Sequence, residues 1–220
     1  MTKLFISQGG CGTHGLNQHG WLGSNFTSTV NGCEYNGHGR DPNNILFMNM
    51  GVPIEDKKTP FEEGMKVFYI LANPYDYLIY CFRRESDTPG FNFAHHLQTG
   101  CDHEYFKTNP GITLLEYLQD PYDAIQYQEH TDGYLNNVSR KYELFFIKYE
   151  TLKDVDVMRK VKKFWELPDS YPDFQFRERK SNWKDCNQIT KDLLKNKYGE
   201  VMQWYENLPD YAILGPSDKI

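Results

Sequence analysis

The stretch Lys3-Leu-Phe-Ile-Ser-Gln-Gly-Gly-Cys-Gly-Thr-His-Gly15 sets the reading of the whole chain. A short apolar run ends in a loop with glycines at Gly9, Gly10, Gly12 and Gly15. Glycine tolerates backbone conformations that other residues avoid, so such a loop can turn successive N–H groups inward as a nest for an anion. A helix following the loop would aim the partial positive charge of its N-terminus at the same point. No acidic residue occurs before Glu34, so nothing close in sequence repels a phosphate or a sulfate. A flexible glycine-rich turn with no ligand fits the same residues. The loop has no Gly-Lys-Ser/Thr and is not a Walker A motif. Gly10, Gly12 and Gly15 match dinucleotide-binding spacing only loosely.

Working outward, apolar runs at residues 4–7, 45–48, 67–71 and 144–147 read as four buried parallel strands, each bounded by polar or Gly/Pro residues. Helical patterns alternate with them. Residues 76–84 follow the third run, with Asn73-Pro74 supplying the break and the helix start. Residues 124–141 precede the fourth run and residues 151–166 follow it, with Val155, Val157, Met158, Val161, Phe164 and Trp165 as a helical stripe. Residues 188–208 form a last amphipathic helix ended by Pro209. Strands alternating with helices imply an α/β fold with a central parallel sheet, whose ligands bind at the carboxyl ends of the strands. The glycine-rich loop lies at such an end. Residues 85–111 are long, polar and aromatic without clear periodicity, which suits a substrate-side loop or cap.

The chain has 220 residues, enough for one domain with a sizeable core. Its formal net charge of −6 argues against nonspecific nucleic-acid binding, while leaving room for a local basic pocket. Aromatic residues make up 15%, which suggests binding surfaces as well as core. The cysteines Cys11, Cys33, Cys81, Cys101 and Cys186 are scattered without a CxxC pair, so neither a zinc cluster nor a disulfide framework is expected. The first residues lack an export pattern and no apolar run reaches membrane-spanning length. A soluble protein of a reducing compartment, the cytoplasm, is the expectation, with no membrane partner.

Four segments, taken in order, carry a resemblance. They are the first strand and loop, Lys66-Val-Phe-Tyr-Ile-Leu-Ala-Asn-Pro-Tyr-Asp-Tyr-Leu-Ile-Tyr-Cys-Phe-Arg83, Phe145-Phe-Ile-Lys-Tyr-Glu-Thr-Leu152 with Phe164-Trp-Glu-Leu-Pro168, and Arg177-Glu-Arg-Lys-Ser-Asn-Trp-Lys184. In this order the chain resembles the sulfotransferase family over about residues 3–206. The resemblance implies a single P-loop NTPase-like α/β domain spanning 1–220. It also implies transfer of a sulfuryl group from 3′-phosphoadenosine 5′-phosphosulfate to a hydroxyl or amine, with no metal. The acceptor would be a small molecule or a carbohydrate, and homodimer formation is compatible with this reading.

Residue by residue, the resemblance assigns the 5′-phosphosulfate to Gly9, Gly10, Cys11, Gly12, Thr13 and His14. Gly12 and Thr13 match the family's Pro-Lys/Arg-Ser-Gly-Thr-Thr/Ser, but its basic residue falls at Gly10, leaving His14 as the nearby substitute. Asn73, Pro74 and Asp76 match Arg-Asn-Pro-x-Asp, although the 3′-phosphate arginine is Ala72 and the later serine is Tyr80. A capped strand-to-helix turn explains Asn73-Pro74-x-Asp76 equally well. Arg179-Lys180 and Trp183-Lys184 resemble Arg-Lys-Gly-x-x-Gly-Asp-Trp-Lys with its middle contracted. Arg179 and Lys180 could therefore grip a 3′-phosphate, helped by Arg83 or Arg84. A solvated basic run is the alternative.

The chemistry needs a base for the acceptor hydroxyl. The family's Lys-Thr-His corresponds to Phe47-Met-Asn-Met50, which has no histidine, and the early helix holds Gln18 and His19 without an acid. His14 and His19 are the catalytic candidates by proximity to the loop, with His38 on the next loop. His95, His96 and His103 could line an acceptor site, but their spacing fits no helical metal-ligand pair. Two other readings stand beside the enzyme. A sulfotransferase-fold binding protein without activity fits the missing Lys/Arg, Arg, Ser and His. A small-molecule kinase would need a loop lysine that is absent.

Overall fold

The computed structural model describes residues 3–7, 34–35, 42–49, 52–87, 102–171, 174, 176 and 178–220. They form a mixed α/β structure. In chain order the elements are β1 Lys3–Ser7, β2 Glu34–Tyr35, β3 Asn44–Asn49, β4 Val52–Pro60, β5 Lys66–Leu71, α1 Pro74–Asp87, α2 His103–Thr108, α3 Leu114–Gln119 and α4 Tyr127–Leu135. There follow β6 Glu143–Lys148, a 3-10 turn Tyr149–Lys153, α5 Val155–Phe164, a 3-10 turn Trp183–Asp185, α6 Gln188–Asn207 and β7 Tyr211–Leu214.

The larger sheet has the order β1-β5-β6-β7. β1 and β6 both pair with β5 in parallel, and β7 closes the β6 side antiparallel. All six residues of β5 are buried, as are all of β6 except Glu143. This is why the two strands read as continuous apolar runs rather than as alternating ones. Period-two alternation sorts their rings to two faces. Phe68 and Phe145 are register partners. They meet Trp165 at 5.1 Å and Phe164 at 5.4 Å between ring centroids, at the end of α5. Their neighbours Tyr69 and Phe146 turn the other way, where Tyr69 packs on Tyr134 of α4 at 5.0 Å. Helices therefore cover both faces around β5 and β6.

Residues 45–48 do not join this sheet as a parallel strand. They lie in β3, which pairs antiparallel with β2 and with β4 in a separate three-stranded sheet. Two residues separate β3 from β4, which suits a hairpin, whereas a parallel partner needs a crossover of about a dozen residues. β4 itself, Val-Pro-Ile-Glu-Asp-Lys-Lys-Thr-Pro, is polar and carries two prolines. Both prolines sit near its ends and the strand is an edge, which is where a sheet tolerates them.

Other boundaries also shift. The helix expected over 124–141 is only Tyr127–Leu135. It starts after Gln126, whose φ of 50° is left-handed, with Asp123 Oδ1 accepting the N–H groups of Ile125 and Gln126 at 3.1 Å. The stripe over 151–166 is divided by Asp154, whose carboxylate caps α5 by accepting from Asp156 N and Val157 N. Within 85–111, Asp102 caps the short α2, and residues 88–101 lie outside the described residues. No described helix is long and apolar enough to cross a membrane.

At the amino end of β6, Arg140 is 2% exposed. Its Nη1 donates to the Tyr134 carbonyl at 2.7 Å, and Nη2 donates to the carbonyls of Gly215 at 2.8 Å and Asp218 at 2.6 Å. This ties the chain beyond β7 to the loop before β6. A cleft of about 410 Å³ between Glu63, Lys141 and Ser217 opens beside it.

Candidate functional site

The carboxyl ends of three strands lie side by side. Ser7 of β1 is in register with Ile70, and Lys148 of β6 with Leu71. The chain leaving β1 toward Gln8 thus starts beside the β5–α1 turn. Such a row of carboxyl ends is where open α/β sheets bind ligands.

The β5–α1 turn is built by Asn73-Pro74. Pro74 occupies the first helical position, where its missing N–H costs nothing. Asn73 is the cap: its Oδ1 accepts from Tyr75 N at 3.0 Å and Asp76 N at 3.3 Å. Its Nδ2 approaches Met202 Sδ at 3.6 Å. Ala72 is fully buried, and its carbonyl accepts from the Tyr127 hydroxyl. Asp76 does not cap the turn. It reaches across 107 residues of sequence, and its Oδ1 accepts the backbone N–H of Trp183 at 2.6 Å. The Trp183 ring stands edge-on to Tyr75 at 5.1 Å. These two contacts fasten the segment containing Arg179 and Lys180 to the first turn of α1.

β6 delivers Tyr149 and Glu150 to the same region. The Arg179 guanidinium lies over the Tyr149 ring at 4.4 Å, and Phe176 meets that ring at 5.4 Å. A guanidinium laid on an aromatic face is held in plane by dispersion and by the ring quadrupole. Glu150 Oε2 accepts from the Tyr205 hydroxyl at 2.6 Å. Between Arg179 and Trp183 sits Ser181, only 4% exposed, whose hydroxyl has no partner among the described residues. Lys180 is exposed.

Charge in this cluster is mixed. Burial pushes the Asp76 carboxyl above the usual range; the Trp183 N–H, Arg179 and Lys184 oppose that shift, and Glu150 adds to it. Arg83 lies over the Tyr80 ring at 6.0 Å.

Gly9, Gly10, Cys11, Gly12, Thr13, His14 and His19 lie outside the described residues, as do His38, His95 and His96. Of the sequence-derived candidates, the structure brings Asn73 and Arg179 to the carboxyl end of the sheet. His130 is buried in the core, where its Nδ1 meets the Tyr69 hydroxyl at 2.9 Å and that hydroxyl meets Thr131 Oγ1 at 3.1 Å. Sequence reasoning missed Tyr149, Glu150 and Ser181 as members of the cluster. The available signal was position: Tyr149 and Glu150 directly follow a buried strand. Among the described residues no group of three His, Cys, Asp or Glu side chains is placed to hold a metal ion.

No protein-family model matches the chain, and no curated protein or solved structure matches it either.

Proposed function

We propose that the chain is a sulfotransferase-like enzyme of the P-loop NTPase-like α/β type. It moves a sulfuryl group from 3′-phosphoadenosine 5′-phosphosulfate to a hydroxyl or amine acceptor. One observation carries this reading: Arg179 lies on Tyr149 while Trp183 is pinned to Asp76, so two distant segments meet where β5 and β6 end. The adjacency of the β1, β5 and β6 carboxyl ends supports a nucleotide spanning the strand ends, since the glycine-rich stretch begins there.

In this reading Gly9 to His14 cradle the 5′-phosphosulfate, and His14 supplies partial charge. Arg179 and the exposed Lys180 meet the 3′-phosphate, with Asn73 fixing the turn beneath it. His14 or His19 takes the acceptor proton. A nucleotide-binding protein without transfer activity is the second reading. It is favoured by the small, buried Ala72 in the place of the family's phosphate-binding arginine.

Replacing Gly12 with valine should abolish binding of adenosine 3′,5′-bisphosphate measured by calorimetry, because a β-branched side chain resists the turns a nest requires. Unchanged affinity would exclude the glycine loop from the site. Sulfuryl transfer to candidate acceptors then separates the enzyme from the inactive binder.

A further inference from the structure

We propose that the Ser181 hydroxyl is a direct donor to the bound 3′-phosphate, taking the part of the serine that Tyr80 replaces; this rests on the nucleotide-binding reading above. The observation is a buried polar atom with nothing to bond. Ser181 is 4% exposed, and its Oγ meets no acceptor or donor among the described residues. Burying a hydroxyl without a partner is unfavourable, and native proteins rarely keep one without a use. Thr131, another buried hydroxyl, shows the ordinary arrangement, with its Oγ1 at 3.1 Å from the Tyr69 hydroxyl.

Ser181 is also fixed in place from both sides. Two residues before it, Arg179 lies on the Tyr149 ring at 4.4 Å. Two residues after it, the Trp183 N–H is held by Asp76 Oδ1 at 2.6 Å, and the indole packs on Tyr75 at 5.1 Å. A short segment anchored at both ends cannot easily swing its serine out to water. An anion gripped by Arg179 would lie within reach of the same segment. A serine hydroxyl donates one hydrogen bond, and a bond to a charged oxygen is stronger than a neutral one. Bound phosphate would thus satisfy a hydroxyl that is buried without a partner among the described residues.

The test is Ser181→Ala, read in two ways. Calorimetry compares adenosine 3′,5′-bisphosphate with adenosine 5′-monophosphate on the wild type and the variant. Urea denaturation compares the two proteins without nucleotide. The expected result is bisphosphate binding weakened about 10- to 100-fold, with monophosphate affinity unchanged within about twofold. The ligand-free urea midpoint should stay the same or rise, because the variant removes an unpaired polar atom. An unchanged bisphosphate affinity, an equal loss for both nucleotides, or a lowered urea midpoint would each overturn the proposal. The two failures are distinct. A wild type that binds no bisphosphate overturns the nucleotide reading and Ser181 with it, whereas a binding wild type with an indifferent variant overturns Ser181 alone.

Discussion

The two ends of the large sheet hold their buried polar groups differently, although Lys148 at the carboxyl end also donates to a main-chain carbonyl, that of Leu208 at 2.6 Å, and Arg140 Nε at the amino end has no partner among the described residues. At the amino end, the terminal nitrogens of Arg140 donate to the carbonyls of Tyr134, Gly215 and Asp218. Lys66 at the start of β5 pairs with Glu166 at 2.9 Å. The chain there supplies acceptors to the terminal nitrogens of Arg140 and so ties its own carboxyl-terminal segment to the loop before β6. At the carboxyl end, Arg179 lies on a ring, a backbone N–H is the anchor, and the Ser181 hydroxyl is buried without a partner among the described residues. Under the proposed nucleotide-binding reading, the difference marks the carboxyl end as the one where a ligand would complete the hydrogen bonding. A buried polar group satisfied by main-chain carbonyls reports on stability, while one left unsatisfied beside a positioned cation reports on binding.

The largest expected effect breaks the amino end. Arg140→Ala strands several carbonyls without their donor and should lower the unfolding free energy by about 3 kcal/mol or more in urea titrations. Nucleotide affinity of the folded fraction should not change. A loss below about 1 kcal/mol would mean that the arginine does not hold that end together.

The second effect belongs to the carboxyl end. Arg179→Ala should leave stability nearly intact yet weaken adenosine 3′,5′-bisphosphate by about 10- to 150-fold, since charge-assisted bonds contribute about 1.5–3 kcal/mol each. A nucleotide lacking the 3′-phosphate should be nearly indifferent. If instead the variant unfolds and Arg140→Ala does not, the contrast between the two ends is reversed.

The smallest effect is a matter of sign. Burial raises the Asp76 carboxyl, so its ionised form is the less favoured one in the folded state. Its contribution to stability is full below the ordinary carboxyl pKa and is lost as pH rises through the raised folded value. Asp76→Asn keeps an oxygen to accept from Trp183 N but cannot ionise. Relative to Asp76→Asn, the wild type should therefore lose stability as pH rises through that window. A wild type that gains on the variant over the same window would show that the Trp183 N–H, Arg179 and Lys184, not burial, dominate at Asp76.

The sequence made parts of this contrast visible and hid others for physical reasons. The runs around Phe68 and Phe145 were legible because both faces of those strands are covered, which leaves an unbroken apolar signature. The run at 45–48 carries the same signature but belongs to a hairpin sheet, because an apolar run does not encode its partner. β7 escaped notice since four residues, Tyr-Ala-Ile-Leu, are too few for periodicity. Asn73 and Arg179 stood out in the sequence, and the fold places both near the carboxyl end of the large sheet. The link from Asp76 to Trp183 N was not, because a side chain meeting a backbone N–H 107 positions away leaves no local pattern. The Ser181 hydroxyl was hidden for a related reason: burial without a partner is a property of the folded surroundings.

The most direct measurement is a crystal structure of the wild type soaked with adenosine 3′,5′-bisphosphate. The account predicts the nucleotide across the carboxyl ends of β1, β5 and β6, its 3′-phosphate within hydrogen-bonding distance of the Arg179 guanidinium and Ser181 Oγ. A nucleotide bound elsewhere, such as the cleft beside Arg140, or an empty site at saturating concentration, would contradict it.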